Sequence, residues 1–327
     1  MAEAQQLNMI QALNNALDLY LAREDAAVIM GEDVGLFGGV FRVTAGLQEK
    51  YGSERVFDTP LAEAGIVGMA IGMALAGLKP IVEIQFADFI FPAFDQIVNE
   101  LAKYRYRSGG QYSPKVVIRT PYGGGIRGGH YHSQSPEAYF AHTPGLRVAA
   151  PSGPYEAKGL LLAALESRDP VIFLEPKRIY RASKGEVPTE YYTVPIDQAN
   201  VVRPGSDATL VAYGAMLQVA QEAVALAEGE GYDVELIDLV SIAPYDLAAV
   251  ARSVRKTGRL LVAHEAPRSC GFGAELVAAV QAHAFSRLEA PLRRIAGFDT
   301  PFPFALEDHY LPSADRILFE LREVIEY

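Results

Sequence analysis

Short apolar runs alternate with segments of helical periodicity along most of this 327-residue chain. The strand-like runs lie at 26–30, 80–86 and 116–119 in the first half and at 208–213, 233–237 and 259–262 in the second. Such alternation is typical of mostly parallel sheets that helices cover on both faces. The sequence therefore predicts an α/β fold in each half.

A stretch between the two halves loses this periodicity and carries several prolines, among them Pro188 and Pro195. Proline-rich segments without apolar periodicity commonly connect domains. We therefore expect a first domain at 1–184, a linker at 185–200 and a second domain at 201–327.

Charge and composition narrow the classes of partner. The chain has 40 Asp and Glu residues against 29 Lys and Arg residues, a net charge of −11. This balance argues against a nucleic-acid or anionic-membrane binder and permits a basic protein partner.

The most apolar long run, at 64–78, is too short to span a bilayer. The single Cys270 excludes an intrachain disulfide, and no secretory pattern opens the sequence. We expect an intracellular protein in a bacterial cytoplasm.

Glu63 is the first candidate for chemistry. Thr59 and Pro60 suit the start of a helix, which we expect to run to about residue 78. Glu63 then lies in the first turn among small and apolar neighbours, where its carboxyl is expected to be desolvated. One interpretation is proton transfer or hydrogen-bond donation. The other is a first-turn glutamate that only stabilises the helix dipole.

Gln85 and Phe89 flank Ala87 and Asp88 at the end of a buried strand. Ligands of open α/β sheets bind outside the carboxyl ends of strands, and an aromatic ring there can stack on a heteroaromatic ligand. The alternative for Phe89 is core packing with the nearby phenylalanines. The sequence alone leaves both open.

A glycine-rich loop, GGGIRGGHYHS at 123–133, cannot form a regular element. So much glycine suggests close approach of the backbone to a ligand. The loop presents His130 and His132, and His142 follows. A catalytic acid or base is one hypothesis and a metal ligand is the other, although no third ligand stands at a convincing spacing. We predict no metal site.

Seven motifs together resemble the β subunit of the thiamine-diphosphate-dependent 2-oxo acid dehydrogenase E1 component. Each motif is weak alone, but their order and spacing across nearly the whole chain are specific. They are GEDVG at 31–35, FDTPLAE at 57–63, EIQFADF at 83–89, YRYRSGG at 104–110, YHSQSPE at 131–137, KTGR at 256–259 and GFDTP at 297–301.

The resemblance implies a transketolase-like pyrimidine-binding thiamine-diphosphate domain followed by a transketolase C-terminal-type α/β domain. It also implies an α2β2 heterotetramer with the cofactor at the subunit interface. The family's diphosphate and magnesium motif, Gly-Asp-Gly followed by Asn, is absent here. The resemblance therefore implies that this chain holds the pyrimidine half of thiamine diphosphate and that Mg²⁺ is bound on the α subunit.

The resemblance implies a role for each residue that matches a functional position of the family. Glu63 matches the glutamate that bonds to a pyrimidine ring nitrogen and promotes the imino tautomer. Leu61, Gln85 and Phe89 match positions that line the pyrimidine. His132 matches the histidine near the reacting carbon that donates a proton during acyl transfer to lipoamide.

The motifs around 87–92 and 131–138 look more like branched-chain 2-oxo acid dehydrogenases than pyruvate dehydrogenases. The resemblance also implies that the dihydrolipoyl acyltransferase (E2) binds at two places. Its lipoyl domain binds at the active site, and its basic subunit-binding domain binds on the C-terminal domain of this chain. Some relatives hold structural potassium, but 114–117 and 164–169 depart from that pattern, so we do not predict the ion. Three alternatives stay open: a pyruvate dehydrogenase E1 β subunit, a detached transketolase C-terminal half, and a non-catalytic assembly subunit.

Overall fold

The computed structural model describes residues 4–327, in which apolar runs form strands of three sheets. β1 and β8 form a small antiparallel sheet of their own. The strands are β1 (Ala4–Asn8), β2 (Ala27–Gly31), β3 (Val56–Asp58), β4 (Lys79–Glu83), β5 (Val117–Tyr122), β6 (Arg147–Ala149), β7 (Val171–Pro176), β8 (Lys184–Pro188), β9 (Asn200–Arg203), β10 (Ala208–Ala212), β11 (Val234–Asp238), β12 (Ser241–Ala243), β13 (Leu260–Pro267) and β14 (Arg293–Gly297).

Side chains cap the first turn of some of the helices. Asn8 and Gln11 form a reciprocal capping box at the first helix, and the Asp246 side chain caps a later one. The helices are α1 (Met9–Arg23), α2 (Leu47–Tyr51), α3 (Glu63–Leu75), α4 (Tyr104–Arg107), α5 (Glu137–Ala141), α6 (Pro154–Glu166), α7 (Met216–Gly229), α8 (Leu247–Thr257), α9 (Phe272–Ala284), α10 (Glu307–Tyr310) and α11 (Ala314–Ile325). Among residues 4–327, no helix combines the length and hydropathy needed to cross a bilayer.

Two larger sheets organise the chain. The seven-stranded sheet has the order β12-β6-β7-β5-β4-β2-β3, and only the β12–β6 pair is antiparallel. The five-stranded sheet has the order β14-β13-β10-β11-β9 and is parallel except for β9. The α/β fold expected from the sequence is therefore confirmed for both halves.

The two sheets are joined by a shared apolar core. One buried cluster contains Ile66 and Ile118 from the first half together with Val211 and Ile237 from the second. β12 belongs to the second half by sequence but completes the edge of the first sheet. The halves therefore fold against each other, and each supports the position of the other's loops.

Two local predictions differ from the structure. The helix expected at 91–106 is a 3₁₀ turn, a π-helical segment at Gln96–Leu101 and the short α4. A single periodicity argument does not distinguish these closely related helical forms. The segment expected to be a linker includes β8, which pairs with β1 at the opposite end of the first domain. A long-range partner supplies that pairing, so local sequence does not show it.

A buried ion group links three adjacent strands of the larger sheet. Arg119 on β5 donates from Nη1 to Glu83 Oε2 on β4 at 2.8 Å and from Nη2 to Glu175 Oε2 on β7 at 3.0 Å. The three side chains are at most 5% exposed. Tyr180 donates a further hydrogen bond to Glu175. Two buried carboxylates share one guanidinium, so removing the guanidinium leaves charges without a partner.

We expect Arg119→Ala to lower the free energy of unfolding by about 3–5 kcal/mol, because the carboxylates of Glu83 and Glu175 lose their counter-ion. Urea denaturation followed by circular dichroism measures the loss. Arg105→Ala is the control: Arg105 pairs with Asp169 at 2.6 Å near the surface, and its loss should cost about 1 kcal/mol or less. Equal losses in both variants would contradict the prediction.

Candidate active site

The residues predicted for the site follow the carboxyl ends of neighbouring parallel strands. Leu61 and Glu63 come after β3, and Gln85 and Phe89 come after β4. His132 comes at the end of the long loop that follows β5. These strands, with β2 between β3 and β4, are adjacent in the sheet. Parallel neighbours end at one edge, so the fold directs all five positions to the same edge of the sheet.

Glu63 is the first residue of α3, three positions later than the helix start that the sequence predicted. Thr59 does not cap the helix; its N–H donates to Gly31 O at 2.9 Å and extends the pairing of β3 with β2. Ala62 occupies the cap position without a side-chain acceptor. The Glu63 side chain is only 9% exposed, and no residue within 4–327 donates a hydrogen bond to its carboxylate. Glu63 is therefore buried at the start of α3.

Glu32 is a site residue that the sequence reasoning missed. It directly follows β2, beside the strand that leads to Glu63. Burial, followed by the negative charges of Glu63 and Asp33, raises the pKa of the Glu32 carboxyl. Glu32 stands in the GEDVG motif beside Asp33, but that motif alone does not show that Glu63, from a later motif, also acts on its carboxyl. The structure thus places two carboxyl groups close together at the end of adjacent strands.

Gln85 contacts the same loop. Its Nε2 donates to Asp33 Oδ2 at 3.0 Å, which ties the end of β4 to the loop after β2. The side chain is half-buried. The amide is therefore held at the strand edge expected for it.

Three rings form the other side of the site. The His132 ring lies edge-on to Phe86, with centroids 4.6 Å apart, and 5.4 Å from the ring of Phe89. Phe86 and Phe89 are themselves 5.5 Å apart. Phe91 and Phe94 instead contact Tyr139, away from this group. Phe89 is therefore half-buried: one part of its ring lies beside His132, and it also packs against Phe86 and the main apolar cluster, so both interpretations of this residue have support.

The backbone directly after His132 is held by Asp88, a residue for which the sequence indicated no role. Asp88 Oδ1 accepts hydrogen bonds from Ser133 N at 3.2 Å and Gln134 N at 3.1 Å. Asp88 is adjacent to Phe89 in sequence, so one short segment both supplies a ring and fixes the histidine. Within 4–327 no hydrogen bond is made to either ring nitrogen of His132, which leaves them for a ligand.

The alternative of a His-x-His metal site is not favoured by the geometry. The exposed His130 ring packs on Tyr131, with centroids 4.0 Å apart, while His132 packs on Phe86. In the described part of the chain, no group of three or more His, Cys, Asp or Glu side chains is placed to hold a metal ion.

Large apolar side chains stand exposed in the segments that carry the two carboxyls. Leu61 is 79% exposed, and Leu36, in the loop after β2, is 90% exposed. Apolar side chains grouped at one edge mark a surface that a ligand or another chain covers.

Comparison with known proteins decides the family. The transketolase pyrimidine binding domain matches residues 5–183, and the transketolase C-terminal domain matches residues 197–317. A mitochondrial 2-oxoisovalerate dehydrogenase subunit beta of Dictyostelium discoideum is 53% identical, with 99% of this chain and 88% of that protein aligned. A pyruvate dehydrogenase E1 component subunit beta of Leifsonia xyli subsp. xyli is 54% identical over 96% of this chain and 93% of that protein. The chain belongs to the family of 2-oxo acid dehydrogenase E1 β subunits.

The resemblance inferred from the motifs is thereby confirmed. A solved chain described as a split gene transketolase, an inactive beta4 tetramer, superposes with a TM-score of 0.76 over 98% of this chain and 99% of its own, at 22% identity. At that identity it shows the shared fold alone. This E1 β chain is thus a subunit of a 2-oxo acid dehydrogenase, in a thiamine-diphosphate-dependent family whose β chains work with an α subunit.

Proposed function

We propose that this chain is the β subunit of a branched-chain 2-oxo acid dehydrogenase E1 component. With its α subunit it catalyses oxidative decarboxylation of a branched 2-oxo acid and reductive acylation of the lipoyl group on E2. The observation that carries the substrate class is the alignment of 99% of this chain, at 53% identity, to a 2-oxoisovalerate dehydrogenase β subunit; the pyruvate dehydrogenase β subunit at 54% identity aligns with 96%. The branched-chain resemblance of the segment at 131–138, around His132, supports it.

The residues at the sheet edge fit the pyrimidine half of thiamine diphosphate. Glu63 offers a secluded carboxyl with no hydrogen bond from residues 4–327, and Phe89 offers a half-buried ring. Gln85 offers an amide group, and Leu61 offers an apolar side chain that is exposed to solvent. When bound, the cofactor supplies the electron sink for decarboxylation. These four side chains hold and orient its pyrimidine ring.

Glu63 and His132 have separate tasks in this proposal. Glu63 would direct its carboxyl at a pyrimidine nitrogen and provide the proton of the hydrogen bond there, a task suited to a group shielded from water. His132 donates a proton from a ring nitrogen as the acyl group passes to the lipoyl group. The rings of Phe86 and Phe89 orient the imidazole and limit the access of water to it.

The α subunit is proposed to supply the rest of the site. The Gly-Asp-Gly and Asn motif for diphosphate and magnesium does not occur in this chain, so we place both groups on the α subunit. The exposed Leu36 and Leu61 mark the edge that this subunit covers, in an α2β2 heterotetramer. The isolated β chain is therefore expected to be inactive.

We also propose that the second domain carries the docking site for the E2 subunit-binding domain, because the net charge of −11 suits a basic partner. The domain division at 1–184, 185–200 and 201–327 is part of the same proposal. The matches at 5–183 and 197–317 support this domain division.

A bacterial cytoplasm stays a prediction from sequence, since the relatives include mitochondrial and bacterial proteins.

The test of the substrate class is co-expression with the α-type partner and an assay with thiamine diphosphate and Mg²⁺. We expect activity only in the mixture, with a higher kcat/KM on 3-methyl-2-oxobutanoate than on pyruvate. A higher value on pyruvate would identify a pyruvate dehydrogenase E1 β subunit instead. A stable complex inactive on both acids would move support to a non-catalytic assembly subunit.

Glu63→Gln should lower decarboxylation in the α2β2 tetramer by about 10²- to 10⁴-fold while assembly persists, because the amide lacks the proton that the carboxyl provides. Single-turnover decarboxylation measures the rate, and size-exclusion chromatography measures assembly. Glu54→Gln, at an exposed position, is the matched control and should match the unmodified protein. Normal turnover of the Glu63 variant would remove the assigned role.

His132→Ala should reduce acyl transfer to a lipoyl domain by roughly 10²-fold or more, and dye-coupled decarboxylation by much less, because its proton is needed at acyl transfer. Parallel assays of the two half-reactions give the ratio. His130→Ala, two residues earlier and exposed, should leave both rates unchanged. Equal losses in the two half-reactions after the His132 change would contradict the placement.

A further inference from the structure

The loop at 123–134, which carries His132, receives its main support from the second half of the chain. Its ends are joined by a hydrogen bond from Gly123 N to Gln134 O at 3.0 Å. Gly124 N donates to Glu265 Oε2 at 2.9 Å, across 141 residues of sequence. Glu307 accepts from Gly125 N at 3.1 Å and from Arg127 N at 3.0 Å. Both carboxylates are buried.

The loop also packs directly on the second half. Gly123 has a φ of +78°, and a Cβ atom there would lie 2.5 Å from Glu265 Oε2. A Cβ at Gly124 would lie 2.7 Å from the ring of Phe302. Glycine at these two positions therefore lets the backbone reach the carboxylate and the ring, and it leaves the loop little intrinsic preference for that conformation.

A buried lysine lies among the anchoring carboxylates. Lys177, directly after β7, is 4% exposed, and its Nζ has no hydrogen-bond partner within 4–327. The Nζ is 5.7 Å from the centroid of Phe86, the ring that packs on His132. Burial lowers the pKa of Lys177 to about 8, against the opposing charges of Asp88, Glu265 and Glu307. The ammonium thus offsets the charge of the three carboxylates that hold the loop.

We propose that Glu265 and Glu307 are positioning residues for acyl transfer: they hold the loop backbone so that His132 faces the reacting carbon. Asp88 fixes the same loop at its other end, next to the histidine. Without the second-half acceptors, the glycine-rich segment would sample many conformations, and displacement of a catalytic group by about 1 Å can cost roughly 10²-fold in rate. This inference rests on the role proposed above for His132.

The experiment compares Glu307→Ala with Asp308→Ala in the reconstituted α2β2 tetramer. Asp308 is the matched control, because it contacts the same loop only through an exposed ion pair with Arg127 at 3.0 Å. Hydrogen exchange of the peptide at 123–134 reports loop order, and the ratio of lipoyl acylation to dye-coupled decarboxylation reports the position of His132. Glu307→Gln, which retains one acceptor oxygen, serves if the alanine variant fails to assemble.

For Glu307→Ala we expect loop exchange to speed up at least tenfold and the acylation ratio to fall by roughly ten- to 10²-fold. The double variant with His132→Ala should show no further fall in the ratio, and Asp308→Ala should change neither readout. Unchanged exchange would overturn the anchor, and faster exchange with an unchanged ratio would overturn the positioning role.

The failure of the proposed function has a different signature. If His132→Ala leaves the acylation ratio unchanged, the role of His132 is wrong. Faster loop exchange in Glu307→Ala would then still establish the anchor. A fall in both half-reactions by the same factor, with a lower melting temperature, would show a purely structural role and overturn the positioning proposal.

Discussion

The parallel alignment of β3, β2, β4, β5 and β7 is the constraint on which the rest of the structure depends. It brings loops that are far apart in sequence to one edge of the sheet, where Glu63, Glu32, Phe89 and His132 meet. The Arg119 group spans the three strands β4, β5 and β7 near this edge, with Arg119 paired opposite Glu83 in the sheet register. A shift of either neighbouring strand would separate buried charges, so the ion group favours one register.

The second half of the chain contributes to the site without supplying a predicted ligand contact. It shares an apolar core with the first half and completes the edge of the first sheet through β12. In addition, Glu265 and Glu307 accept hydrogen bonds from the glycine-rich loop. Buried backbone N–H groups need acceptors, and a glycine-rich loop cannot supply them from its own side chains. The second domain therefore acts as a support for the loop as well as a proposed docking surface.

The site has an apolar exposed rim and a polar secluded interior, and this combination explains why a partner is required. Leu36 and Leu61 stand in solvent, while Glu63 is buried and Glu32 is half-buried. Covering the rim removes apolar surface from water and further isolates the carboxyls. The surface proposed to bind the α subunit thus also contains Glu63, the residue proposed for the chemistry.

The sequence by itself determined the α/β class and the family, because apolar periodicity is local and the motifs recur in a fixed order. It also placed Gln85, Phe89 and His132 at or after the ends of predicted strands, where a parallel sheet brings residues together. It misplaced the start of α3, because Thr59 pairs with Gly31 in the sheet and is then no longer free to cap a helix. Only the tertiary structure decided that Glu32 lies beside Glu63 and that Glu265 and Glu307 hold the His132 loop. Those contacts join residues up to 182 positions apart, and no local pattern encodes which distant carboxylate will reach a given backbone N–H.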